Sequence, residues 1–407
     1  MKSLIFIIFI TLFCSNNAFA LEIDDQLALK QNQTYNFATS EWAERIKVSG
    51  LIMGEVILSD HDAGSSRRFS TAPKKNYSTF CFPRASLYID AQVNTLTQAH
   101  LALNFAPDKI SNVCSACGFG KKNDELRFGK YNKIDESYVT FGNLAESQYY
   151  ARIGIQYVPY GYYTRNTIPA TLPQLMTQTQ AAGATTGYSN DNGMNLAIFI
   201  FSGKNKTGGS TKIDNVGTQI GYIKSTEESN SLVTLGWMNN IANSVNYLVS
   251  SSSTCCGKES NPLSNGYRKR VQGMSLTLHH QELNWDTTLQ LTSALSKFNP
   301  GDIAWKGKGA KPSAGLIDLG YRFEAFGKRK NRIGTSYQLS NQAINIKGNS
   351  YGAGLPKQRI QGDYTIEINP NVELGTHIFW DKDYPKNDSG TSKKGTTVLL
   401  TMSVKLG

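Results

Sequence analysis

The stretch that decides the fold runs PKQRIQGDYTIEINPNVELGTHIFW, residues 356–380. Ile360, Gly362, Tyr364, Ile366 and Ile368 share one face, and Arg359, Gln361, Asp363, Thr365 and Glu367 share the other. Asn369-Pro370-Asn371 then supplies residue types that favour a tight turn. Val372, Leu374, Thr376, Ile378 and Trp380 resume the apolar face, and Glu373, Gly375 and His377 the polar one. Alternation with period two over this length marks strands with one apolar and one wet side. Each strand is about 9–11 residues, the length that crosses a bilayer when tilted. The hairpin reads as one of about eight that close a transmembrane antiparallel β-barrel, an all-β fold.

The same alternation recurs outward from it. Downstream, Val398, Leu400, Met402, Val404 and Leu406 form the last strand. Upstream, Gly315 to Phe323 and Ile333 to Leu339 repeat the pattern, as do Trp285 to Leu291, Met274 to Leu278, Val233 to Trp237, Val216 to Tyr222 and Met194 to Ile200. Further back come Tyr149 to Tyr157, Ala99 to Phe105, Leu87 to Val93 and Ile46 to Val56, with weaker patterns near Ile134 to Phe141 and Ala181 to Tyr188. The total is about 16 strands, even-numbered as bacterial outer-membrane barrels are. Short connections (94–97, 142–148, 189–193, 225–231, 281–284, 324–331, 369–371) alternate without a break with long ones (59–83, 107–130, 158–182, 202–214, 240–271, 294–312, 340–357, 381–395). Outer-membrane barrels have short periplasmic turns and long extracellular loops. A soluble β-sandwich has no reason to alternate in this way.

The amino terminus reads as an export signal over residues 1–20: Lys2, the apolar run Leu4 to Phe13, and the small-x-small site Ala18-Phe19-Ala20. Residues 21–41 read as a periplasmic tether and 42–407 as the barrel, with Trp42 at its start. No later run of apolar residues is long enough for a transmembrane helix. The mean hydropathy of −0.35 fits a barrel, which exposes an apolar residue only at every second position. The formal net charge is +11. Export leaves anionic lipid or anionic solutes as the partners of that charge and excludes nucleic acid. The basic clusters Arg67-Arg68, Lys74-Lys75, Lys121-Lys122, Arg268-Lys269-Arg270 and Lys393-Lys394 fall in outer loops, where they meet lipopolysaccharide phosphates or steer an anionic ligand. The last residues, Lys405-Leu406-Gly407, lack the terminal aromatic used in barrel assembly, so engagement with the assembly machinery is expected to be atypical.

Several stretches together resemble the LbtU-type siderophore porins of Gram-negative bacteria. They are RIKVSGLI (45–52), LYIDAQVNTLTQAHL (87–101), YVTFGNLAESQYYARIGIQYVPYG (138–161), FSGK (201–204), WMNNIANSVNYL (237–248) and the run from LPKQRIQGDYTI to DKDYP (355–385). The resemblance spans nearly all of the barrel. It implies a barrel of about 16 strands taking up a ferric siderophore, or a similar anionic solute, without a plug domain. A general diffusion porin and a surface adhesin using the long loops are the alternatives. The chain departs from the family in its short amino-terminal segment.

Four arginines have lumen parity: Arg152, Arg322, Arg332 and Arg359, with Tyr150 and Gln156 beside the first. Guanidinium groups bind carboxylates in a bidentate fork, which suits a polycarboxylate ligand. The bland alternative is that they pair with Asp90, Asp318, Asp363 or Glu367 and fill a polar lumen. The third long loop, 158–182, contains IPATLPQLMTQTQAA, in which the prolines can start a short helix with Leu172, Leu175 and Met176 as its apolar side. By analogy with general porins this loop folds inward, with Leu172, Gln174 and Gln178 at the constriction; an outer cap is the other possibility. Cys81, Cys114, Cys117, Cys255 and Cys256 fall in or beside outer loops and read as disulfide staples rather than a metal site. The histidines are scattered and no nucleophile elbow is present, so an enzyme is not expected and no cofactor is called for.

Overall fold

The computed structural model describes residues 45–60, 77–105, 132–143, 147–163, 170–203, 213–226, 228–244, 269–343, 355–388 and 390–406. The strands in chain order are β1 (Ile46–Ser59), β2 (Tyr77–Asn94), β3 (Thr97–Phe105), β4 (Asn132–Phe141), β5 (Tyr149–Tyr157), β6 (Gln180–Ser189), β7 (Met194–Ser202), β8 (Ile213–Ser225) and β9 (Ser229–Met238). They continue with β10 (Gly273–Glu282), β11 (Trp285–Ala294), β12 (Ala304–Trp305), β13 (Lys308–Gly309), β14 (Ser313–Ala325), β15 (Arg329–Asn341), β16 (Gln358–Asn369), β17 (Val372–Lys382) and β18 (Lys394–Leu406). Sixteen of these form one closed antiparallel barrel; β12 and β13 make a separate two-stranded ribbon between β11 and β14. Every barrel strand pairs with its sequence neighbours, and β1 pairs with β18 from Gly50 opposite Leu406 to Ser59 opposite Thr397. The last strand is therefore intact to Leu406 despite its non-aromatic end.

The two faces of the wall follow the sequence parity. Ile153, Ile198, Ile220, Ile317, Ile333 and Ile360 are exposed on the outside, while Gln156, Gln219, Asp286, Gln338, Arg359 and Gln361 are buried inside. An apolar exterior around a polar interior is the inverse of a soluble protein and fits a wall that faces lipid. Aromatic residues collect at both rims. Tyr149 packs tilted against Tyr188, and Trp285 against Tyr321, at the short-turn end. Trp237 and Trp380 lie at the opposite end, where β9 and β17 run into long connections. Such rings rest at the headgroup level.

Turns of a few residues alternate around the ring with long connections, as the sequence reading expects. The structure adds three corrections. Strand β2 begins at Tyr77, so the first outer loop is shorter than read, and Cys81 sits within the strand opposite Glu55 rather than ending the loop. Period two failed there because YSTFCFPRAS does not alternate, and the ladder, not the pattern, extends the strand. The β12–β13 ribbon was missed because two residues a side carry no period; Lys306 and Gly307 turn it with positive φ of 49° and 74°. Strand β6, faint in the sequence through its glycines and alanines, is a full ten residues. Residues 1–44, with the expected signal and tether, and Cys114, Cys117, Cys255 and Cys256 lie outside the described residues.

This topology makes a direct prediction. An epitope inserted between Lys306 and Gly307 will bind antibody on intact cells, and one between Pro370 and Asn371 will bind only after the outer membrane is permeabilised. Antibody reaching the second site in intact cells would reverse the orientation.

Candidate functional site

The interior is organised by the connection between β5 and β6, which does not stay outside. Residues 158–163 run along the inner wall of the far side. The Tyr160 carbonyl accepts from Ser275 Oγ on β10, and the Tyr162 carbonyl accepts from Thr277 Oγ1 at 2.8 Å and from Gln290 Nε2 on β11 at 3.2 Å. Gly236 on β9 makes room: a Cβ there would run into the Tyr160 carbonyl. The chain then forms a short helix, α1 (Leu172–Thr177), with Thr171 as its N-cap; the Thr171 hydroxyl accepts from the Gln174 amide at 3.2 Å. The Thr171 hydroxyl also donates to Gln290 Oε1 at 3.1 Å, and the Leu172 amide donates to Gln338 Oε1 at 2.9 Å. These partners lie on β11 and β15, on the opposite side of the ring from β5 and β6. The connection is thus a strap across the lumen.

The helix presents two different sides. Leu172, Leu175 and Met176 are buried in an apolar cluster with Phe199, Phe201 and Ile241, together with residues from the later long connections such as Phe298 and Leu355. Gln174 and Gln178 are only half-buried, and Gln174 Nε2 donates to Gln178 Oε1 at 3.3 Å. The same inward packing continues towards the mouth. Buried Tyr384 shares a hydrogen bond with Ser340 Oγ at 2.6 Å, and its hydroxyl accepts from the Ala343 amide at 3.2 Å. Burial pushes the Tyr384 phenol up to about 12, so it stays protonated and keeps both contacts.

The wall of β11 and β14–β17 is a dense ion-pair network. Arg332 Nε and Nη2 donate to the two oxygens of Asp286 at 3.1 and 2.8 Å. Its Nη2 also reaches Asp318 at 2.8 Å, and its Nη1 reaches Asp363 at 2.6 Å. Gly320 and Gly334 form the floor beneath this guanidinium, since a Cβ at either would meet it. Arg322 Nε stands 3.3 Å from Asp286. Arg359 forks onto Asp381 at 2.8 and 3.0 Å, packs on the Phe379 ring at 4.7 Å, and is 0% exposed. Arg332 and Arg359 thus make the wall pairs that stood in the sequence as the alternative to ligand contact, Arg332 with the Asp318 and Asp363 named there, while Arg359 Nη1 has no hydrogen-bond partner. Two of those partners, Asp286 and Asp381, escaped the sequence reading, because parity gives the face of a residue and not its neighbours.

The β5–β8 wall is different. Arg152 stacks over the Tyr138 ring at 4.2 Å and has no ion pair among the described residues; its buried Nε has no hydrogen-bond partner. Gln156 is 1% exposed and Gln219 3% exposed, and the side-chain amide nitrogen of each is also without a partner. Leaving a buried donor unmade costs about 1–3 kcal/mol. All three residues line one small cleft between this wall and the strap, with Tyr150, Thr185, Asn195 and Pro159. Of the residues singled out in the sequence, the structure therefore brings Tyr150, Arg152 and Gln156 together and leaves Arg322, Arg332 and Arg359 on a separate wall. Gln219 was missed although its inward parity was readable.

No family model matches the chain. It is 22% identical over 348 residues to a UPF0422 protein of Coxiella burnetii, covering 84% of this chain and 68% of that one. It is 27% identical over 277 residues to a UPF0422 protein of Legionella pneumophila, covering 66% of this chain and 50% of that one. The chain thus spans about half the length of the Legionella relative. Among solved structures the barrel is similar to the outer-membrane channel DcaP of Acinetobacter baumannii, with a TM-score of 0.55 at 10% identity over 89% of this chain and 97% of that one. It is equally similar to an anion-selective porin from Comamonas acidovorans, with a TM-score of 0.55 at 12% identity over 89% of this chain and 99% of that one. The chain has the fold of a 16-strand outer-membrane barrel of the porin type.

The Arg332 cluster sets an expected stability. Arg332→Met leaves Asp286, Asp318 and Asp363 buried without their common cation, a loss of about 3–5 kcal/mol. Urea unfolding of the barrel in lipid vesicles, followed by tryptophan fluorescence, measures it. An unchanged midpoint would show that the cluster is not formed.

Proposed function

We propose that this protein is an outer-membrane porin for a small anionic solute, and that the solute is an iron–siderophore complex or one of similar charge. The observation that carries the channel reading is a lipid-facing closed barrel whose polar lumen is narrowed by its own strap. The siderophore part rests on the sequence resemblance to siderophore porins. A lumen crossed by a strap favours a selective conduit over a general diffusion porin. On the β5–β8 wall Arg152 has no ion pair among the described residues, so the expected selectivity is for anions.

Planar-bilayer recording of the full chain tests this. The native barrel is expected to give small, anion-selective conductances. Deleting residues 170–178 is expected to raise conductance several-fold, and Arg152→Glu to move the reversal potential towards cations while the barrel still folds, since lumen substitutions tune selectivity. Equal conductance with and without the strap segment would sink the constriction. Growth of a deletion strain on iron-poor medium with supplied ferric siderophores tests the solute; unimpaired growth would remove iron uptake.

A further inference from the structure

We propose that Arg152, Gln156 and Gln219 form a binding subsite for a single carboxylate group of the solute, set in the lumen wall behind the strap. The proposal rests on the reading that anionic solutes pass this way, and it names what they are recognised by. Its basis is a set of donors built to be met. The two glutamines are almost wholly buried and their amide nitrogens are unpartnered, as is the Arg152 Nε. Buried donors in a folded protein are normally satisfied, so three unpartnered ones on residues that line one cleft point to an absent acceptor.

The donors are also held in orientation. The Gln156 carbonyl oxygen accepts from the Thr185 hydroxyl at 3.3 Å, which turns its amide nitrogen away from Thr185. The Tyr138 ring beneath Arg152 fixes the plane of the guanidinium. The cleft is lined by hydroxyls, amides and Pro159 of the strap, and no carboxylate among the described residues lines it. That absence separates this wall from the one across the barrel, where every buried arginine lies against aspartate.

The chemistry selects among anions. One guanidinium and two amides are planar donors, and they match a planar carboxylate bearing one charge. A phosphate is tetrahedral and spreads its acceptors over three oxygens, which these planar donors match less well than a planar carboxylate. The donors come from β5 and β8, three strands apart, so the site exists only when the wall is curved into its closed barrel.

Calorimetric titration of the folded full chain in detergent, with citrate and with inorganic phosphate as probes, tests the subsite. Citrate is expected to bind saturably and phosphate more weakly. Arg152→Gln and the double change Gln156→Leu with Gln219→Leu should each weaken citrate binding by about tenfold or more, the loss that goes with a charge-assisted or buried hydrogen bond. Should the leucine pair not fold, as judged by gel mobility before and after boiling, Gln156→Glu keeps the size and is expected to abolish binding by repulsion. Absence of citrate binding, a preference for phosphate, or unchanged affinity in the variants overturns the proposal. Bilayer conductance of the same preparation separates the two readings. A barrel that conducts and does not bind citrate loses the subsite; one that binds citrate and does not conduct loses the porin.

Discussion

Inside a bilayer no water meets a bare backbone N–H or C=O, and each one left unpaired costs several kcal/mol. The pairing of β1 with β18 removes the two edges that a sixteen-strand sheet would otherwise expose. Everything else in this protein depends on that closure. It fixes which side of each strand meets lipid, and it creates an interior in which side chains from strands far apart in sequence face one another.

The interior is polar but not simply wet. On one wall, charges are buried in a ring of mutual pairs. Arg332 alone faces Asp286, Asp318 and Asp363, on β11, β14 and β16. Burying charge is tolerated only when geometry and hydrogen bonding compensate for lost hydration. Glycines beneath the guanidinium make that geometry possible. On the other wall a cation, Arg152, stands over an aromatic ring with no ion pair among the described residues. The barrel thus divides its inner surface into a part closed by ion pairs and a part where the proposed subsite lies.

The strap joins these halves. It starts on β5, is fastened to β10, β11 and β15, and returns to β6. Its apolar side is anchored among residues from several later connections, whereas Gln174 and Gln178 remain half-buried. A short helix of this kind would not hold its shape in isolation, since helices under about 12 residues are marginal in water. Its cap and its fastenings are contributed by the wall it reaches.

Much of the fold was written in the sequence because lipid imposes its demand strand by strand. The alternation of Ile360, Gly362, Tyr364 and Ile366 with Arg359, Gln361, Asp363 and Thr365 needs no partner to be read. The inward parity of Arg152, Arg322, Arg332 and Arg359, the short turns and the strand count follow from the same rule. Tertiary structure alone decided which inward groups meet. A bulge between Glu367 and Asn369 sets Arg359 opposite Asp381; the unbulged register of the Asn369–Val372 pair would set it opposite Lys382. Arg332 finds Asp286 two strands away across β14, and Gln156 shares a cleft with Gln219 three strands away. Period two tells which face a residue occupies, whereas its neighbours are chosen by register, curvature and the path of the strap, and none of these is a local property of the chain.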